Sequence, residues 1–216
     1  MRDPDVPGAD EFLPARRTLP ALRKAVGGCR GCPLYRDATQ AVFGEGASKA
    51  RLVIVGEQPG DVEDREGHPF VGPAGRLLDE ALAAARLERD AVWLTNAVKH
   101  FKYTMRGKRR IHAKPRMIEV KACRPWLEAE LAAIAPEAVL LLGATAVASL
   151  LGTTVKVLRD RGKALTTALA PATFVTVHPA AVLRAGDDRA AAQAAFFADV
   201  AAAGAWLARA ARKRAA

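Results

Sequence analysis

No apolar run in the sequence approaches the ~20 residues that a helix needs to cross a bilayer. The opening stretch, residues 1–20, mixes Asp, Pro and Arg and lacks the apolar centre of a secretion signal. The expectation is a cytoplasmic protein that makes no use of a membrane. Cysteine is scarce, three in 216 residues. An odd count argues against a disulfide framework and leaves metal ligation as the alternative use of the thiols. Internal repeats are missing, and so is any linker long enough to divide the chain. One domain over residues 19–216 is expected, behind a loose arm at 1–18. Nothing in the pattern signals an oligomer, so a monomer is expected.

Half of the residues are hydrophobic, ample for a core, and the net charge is +10. A surplus of that sign attracts polyanions. It is also concentrated: Lys99, Lys102, Arg106, Lys108, Arg109, Arg110, Lys114 and Arg116 follow one another with no acid between them. A second group, Arg209, Arg212, Lys213 and Arg214, reads as a solvated helix end.

Four short apolar runs, at 51–56, 91–98, 138–143 and 173–178, are continuous rather than alternating, as in strands covered on both faces. Helical patterns lie between and after them, at 74–87, 115–134, 144–151 and 188–211. Strands alternating with helices predict an α/β sandwich around a parallel sheet. Polar, punctuated segments follow the strands: Gly56-Glu57-Gln58-Pro59-Gly60-Asp61, Asn96 to His100, Gly143-Ala144-Thr145, and His178-Pro179. Ligands bind beyond the carboxyl edge of such sheets, so Glu57, Asn96 and His178 are expected to converge.

Cys29-Arg30-Gly31-Cys32 has the spacing with which two thiolates grip one metal centre. Cys123 adds a third sulfur, and His100, one of four histidines, is the choice for a fourth ligand. On ligand chemistry alone a structural zinc leads and an iron–sulfur cluster follows. Phe70, in His68-Pro69-Phe70-Val71-Gly72-Pro73-Ala74-Gly75, offers either core packing or a stacking face for an everted base, and the helix start after it favours a phosphate. Asn96 carries an amide able to donate and accept together, which suits the edge of a pyrimidine or a purely structural role. In Arg106-Gly107-Lys108-Arg109-Arg110-Ile111-His112, three consecutive cations would hold DNA and disfavour the charged form of His112, leaving a neutral imidazole able to attack. Asp61, Asp64 and His68 could instead serve as hard-metal ligands of a nuclease. A zinc-bearing DNA-binding module without catalysis is a further alternative.

Gly-Glu-x-Pro-Gly after the first strand, His-Pro-Phe-Val-Gly-Pro-Ala-Gly, the Asn ending the second strand and the late Val-His-Pro resemble the iron–sulfur (type 4) uracil-DNA glycosylases. Gln58, His100 in place of a cluster cysteine, and the run Lys108 to His112 are similar to the UdgX subgroup. The resemblance spans about Cys29 to Arg184. It implies a three-layer α/β/α sandwich around a four-stranded parallel sheet. It replaces zinc by a [4Fe-4S] cluster on Cys29, Cys32, His100 and Cys123. It further implies excision of uracil from DNA, with single strands preferred, and capture of the sugar C1′ by His112. In that scheme Glu57 steadies the sugar cation and serves His112, and His178 donates to a uracil oxygen. Phe70 stacks, Asn96 reads the base edge, Gly56 and Gln58 shape the pocket, and Asp61 positions the loop. Lys108, Arg109, Arg110, Gly75 and Arg184 are the expected DNA contacts. An ordinary glycosylase, in which water attacks the sugar, is the alternative. One departure is Ala180, where relatives usually carry Ser after His-Pro.

Overall fold

The structure, a computed structural model, describes residues 6–215. In chain order its elements begin with α1 (Leu19–Val26), β1 (Glu45–Gly46), β2 (Leu52–Gly56), α2 (Asp61–Glu66), α3 (Pro73–Ala84) and β3 (Trp93–Asn96). They continue with β4 (Tyr103–Arg106), β5 (Arg109–His112), α4 (Met117–Ile134), β6 (Ala138–Leu142) and α5 (Gly143–Leu151). The last are α6 (Val157–Asp160), β7 (Ala172–Thr176), α7 (Pro179–Leu183) and α8 (Arg189–Ala215).

The strands β3, β2, β6 and β7 lie side by side and run parallel. All four were expected as strands from their continuous apolar runs, and every residue in them is buried. The sheet has a fifth member, β1, antiparallel on the outer edge of β3, so it is mixed rather than purely parallel. Two residues are too few to leave a periodic trace in a sequence. Alternate side chains feed opposite layers. Val53, Val55, Val139, Leu141 and Val175 pack with Leu22, Val120 and Trp126 from α1 and α4. Leu52, Ile54, Leu94, Leu140 and Phe174 pack with Leu78, Leu82, Phe196 and Val200 from α3 and α8. Burial on both faces is what fixes the three-layer α/β/α order.

Two expectations need correction. The stretch 1–18 is not a loose arm where it is described: Val6 and Ala9 are core residues, and the Gly8 and Ala9 amides donate to Gly31 and Ala122 carbonyls at 2.9 Å. Its first five residues lie outside the described ones. The basic segment after β3, where no strand was expected, forms a two-stranded hairpin, β4 with β5, turned at Gly107 (φ +60°). The segment Gly186–Arg214 is long and apolar enough by composition alone to cross a membrane. Its hydropathy is mostly alanine, and Phe196, Val200, Ala203 and Leu207 pack into the domain core.

Parallel pairing carries the carboxyl ends of the four central strands, and the segments that follow them, to one edge. That edge brings together segments from Gly56 to His178.

Candidate active site

Gly56 and Asn96 are register partners at the ends of β2 and β3. A methyl group on Gly56 would lie 2.4 Å from Asn96 Oδ1 and 2.6 Å from Phe70 Cζ. Only a residue with no side chain lets the amide and the ring close over the same spot. Phe70 itself has φ +57°, a conformation that costs about 1 kcal/mol or more for an ordinary residue. It is held there by its surroundings. Arg89 donates to the Pro69 and Phe70 carbonyls at 3.0 and 3.2 Å while pairing with Asp79 at 2.5 Å. A methyl on Gly75 would meet the Phe70 carbonyl oxygen at 1.8 Å. Gly75, expected as a DNA contact, thus has a steric reason of its own. Behind the pocket the fully buried Lys99 donates to Thr95 Oγ1 at 2.7 Å and to the Asn96 carbonyl at 2.9 Å. Its ammonium lies 3.0 Å from Glu130 Oε1, a charge pair whose geometry falls short of a hydrogen bond.

His178 faces Phe70 with ring centroids 6.4 Å apart and planes 25° from parallel. Burial, helped by His112 and Arg184, pushes its imidazole down to about 4, so the ring is neutral near pH 7. Nδ1 accepts the Ala180 amide at 3.2 Å, which leaves the ring proton on Nε2. A neutral N–H donor at the pocket is the tautomer needed to meet a developing oxyanion without adding a titrating charge.

Glu57 follows β2 and His112 ends β5, and the two meet at the sheet edge. His112 Nε2 lies 3.4 Å from Glu57 Oε1, with the two side chains 50 % and 20 % exposed. The other carboxylate oxygen, Oε2, accepts a short hydrogen bond from the buried Thr145 on α5. Thr145 carried no assignment from sequence, although its segment stood out as a strand-end turn.

The hairpin that delivers His112 is tied down by two side chains expected to do other work. Gln58 Nε2 donates to the Lys102 and Ala113 carbonyls at 3.0 and 3.2 Å, and Oε1 accepts the Lys102 amide at 3.2 Å. Its amide is spent on the hairpin base, not on a pocket floor. Arg110 turns inward, only 12 % exposed, pairing with Asp61 and, at 2.6 Å, with the fully buried Asp64. It also lies over the Phe101 and Tyr103 rings, 5.4 and 5.0 Å from their centroids. Arg110 is therefore a structural clamp and not a phosphate contact, and Asp61 is occupied by it. The basic cluster splits accordingly. Lys99 is buried and Lys102 and Arg116 share Glu119 at 2.8 and 2.9 Å, while Arg106, Lys108, Arg109 and Lys114 are exposed. Arg184, after α7, is exposed as well. The His112 ring faces the Glu57 carboxylate.

The nuclease triad does not assemble. Asp61 and Asp64 are neutralised by Arg110, and His68 pairs instead with Glu45 at 2.7 Å.

Cys29, Cys32, His100 and Cys123 are all buried. Trp126 Nε1 donates to Cys29 Sγ and the Lys99 amide to Cys123 Sγ, each at 3.2 Å. Burial pushes the Cys32 thiol up to about 11 and the Cys123 thiol up to about 12, with the neighbouring sulfurs adding to both shifts. Burial also lowers His100 to about 4. Cys29 and His100 border a cavity of about 200 Å³. Among the described residues no three His, Cys, Asp or Glu side chains close on a point that a single ion could fill.

A neutral imidazole donor, a carboxylate beside a second imidazole, and an amide next to an aromatic ring stand together at the carboxyl edge of the sheet, groups chemically able to hold a flat polar ring and to exchange protons. The model of the uracil DNA glycosylase superfamily matches residues 43–201, and the chain belongs to that superfamily. A type-4 uracil-DNA glycosylase of Pyrobaculum aerophilum is 38 % identical over 173 residues, covering 77 % of this chain and 85 % of the relative. Another of that name, from Thermotoga maritima, is 36 % identical over 157 residues, 72 % of this chain and 78 % of the relative. A third, from Sulfurisphaera tokodaii, is 39 % identical over 127 residues, 58 % of this chain and 54 % of the relative.

Proposed function

We propose that this chain excises uracil from DNA and bonds the resulting deoxyribose to His112, as the UdgX subgroup would. The observation that carries the proposal is the placing of His112 Nε2 3.4 Å from Glu57 Oε1, at the mouth of a pocket made by Phe70, Asn96 and His178. Uracil enters by leaving the base stack, at a price of a few kcal/mol that single strands largely escape. A preference for single-stranded DNA follows. Phe70 covers the face of the base and Asn96 meets its polar edge. His178 Nε2–H donates to the uracil oxygen on which charge builds as the N1–C1′ bond breaks and uracil departs with the electron pair. Glu57 stabilises the sugar cation. A nitrogen of His112 then bonds C1′, and the ring proton passes to Glu57, leaving a neutral alkylated imidazole. Uracil takes its proton from solvent. Lys108, Arg109 and Arg184 are offered as the phosphate contacts, and the protein acts as a monomer.

The cysteine centre is proposed to hold a [4Fe-4S] cluster on Cys29, Cys32, His100 and Cys123. Three buried sulfurs with two N–H donors, beside a neutral buried imidazole, fit such a group. When bound, the cluster would fasten the Cys29–Cys32 loop to α4, a structural service, and no step of the reaction passes through it.

The test is an incubation with uracil-bearing and thymine-bearing single-stranded oligonucleotides, run on a denaturing gel. A shifted protein–DNA band with uracil alone is expected, and His112→Ala should lose the band while releasing uracil to water. A band that survives in His112→Ala overturns the nucleophile. Uracil release with no band in the wild type would favour the ordinary, water-using glycosylase.

A further inference from the structure

We propose that Thr145 is a positioning residue that holds the Glu57 carboxylate for the reaction, an inference that rests on the roles given above to Glu57 and His112. Glu57 has two oxygens with different neighbours. Oε1 stands 3.4 Å from His112 Nε2, and Oε2 accepts the hydroxyl hydrogen of Thr145. A glutamate side chain is long and rotates about three bonds. Pinning one oxygen decides where the other points.

The pin is anchored in the buried core of the sheet edge. Thr145 is buried near the start of α5, which begins directly at the end of β6. Gly143 makes the turn possible with φ +85°, and a methyl there would sit 3.1 Å from His178 Cβ. One turn thus reaches two members of the site: its glycine admits His178, and its threonine fixes Glu57. His112, by contrast, arrives on a half-exposed hairpin. A half-exposed partner leaves the position of the carboxylate to be set from the other side, and Thr145 sets it. The hydroxyl has a single hydrogen to give, and that hydrogen goes to a carboxylate 88 positions away in the chain rather than to its own helix.

Thr145→Val keeps the shape and removes the donor; Thr145→Ser restores it. Rates of uracil release and of adduct formation should fall roughly 10- to 100-fold in Thr145→Val, the usual range for one hydrogen bond to a charged group. Binding of a uracil-free oligonucleotide and the melting temperature should stay near wild type, and Thr145→Ser should recover to within a few-fold. In a Glu57→Ala background the valine change should add nothing, because the partner is gone. A wild-type rate in Thr145→Val, or an equal loss in the Glu57→Ala background, overturns the proposal. A second measurement needs no substrate: the ¹³C carboxyl resonance of Glu57 should move in Thr145→Val and return in Thr145→Ser. An unmoved resonance also overturns it. If the wild-type protein releases no uracil, the glycosylase proposal has failed by itself, and the resonance still decides whether Thr145 holds Glu57.

Discussion

Two regions supply the site, and they are held by different means. Phe70, Asn96 and His178 stand on the sheet edge, where backbone packing and two glycines leave no freedom. His112 stands on the β4–β5 hairpin, whose outer side chains are exposed and whose hold on the domain comes from Gln58 and Arg110. The cluster proposed to hold the base is therefore fixed by close contact, whereas His112, the proposed nucleophile, is held by polar clasps. Damage to the first region should abolish recognition of the base. Damage to the second should separate capture from excision.

The harshest break of the first region is Gly56→Ala, which places a methyl 2.4 Å from Asn96 Oδ1. A displacement of about 1 Å at a reacting centre is worth on the order of 100-fold. Uracil release should fall by at least that factor, measured by base release from a labelled oligonucleotide. In the second region Arg110→Gln strands the buried Asp64. Stability should drop by about 3 kcal/mol, as when a buried pair loses one partner, measured by urea unfolding. The yield of adduct per uracil released should fall several-fold, since the hairpin no longer presents His112. Equal loss of excision and capture would show that the hairpin and the pocket are one unit.

How much of this was legible in the sequence follows the same division. The parallel strands announced themselves, because burial on both faces demands continuous apolar runs, and the strand-end rule brought Glu57, Asn96 and His178 together. The hairpin was missed, since Tyr103 to His112 is polar and mostly exposed and gains its shape from partners far away. Arg110 meets Asp61 and Asp64 across 49 and 46 positions, and no local pattern records that. Its burial is why a cation counted toward DNA proved to be a clamp. Thr145 stayed unassigned for a similar reason. A threonine near a helix start has an ordinary explanation, and only the fold shows its hydroxyl turned to Glu57.

A gentler probe of the packed region uses pH. The unfolded imidazole titrates near 6.5, while in the folded chain His178 is held down to about 4 by burial. The folded state resists the proton, so this contribution is whole above pH 6.5 and fades as the pH falls toward 4. The loss should reach at most about 3 kcal/mol, and His178→Gln should remove this share of the slope in unfolding free energy between pH 7 and 4.5. An unchanged slope would mean that the ring titrates freely. The smallest effect belongs to the hairpin tip. Lys108→Ala and Arg109→Ala should each weaken binding to all sequences alike and lower the salt slope by about one, measured by fluorescence anisotropy across a salt series.

The most direct measurement is peptide mapping of the wild-type protein after incubation with a uracil-bearing oligonucleotide. The deoxyribose mass should appear on the peptide that carries His112, and on His112 itself by fragmentation. The same mass on another residue, or no mass on any peptide while uracil is released, would contradict the proposal that this histidine captures the sugar.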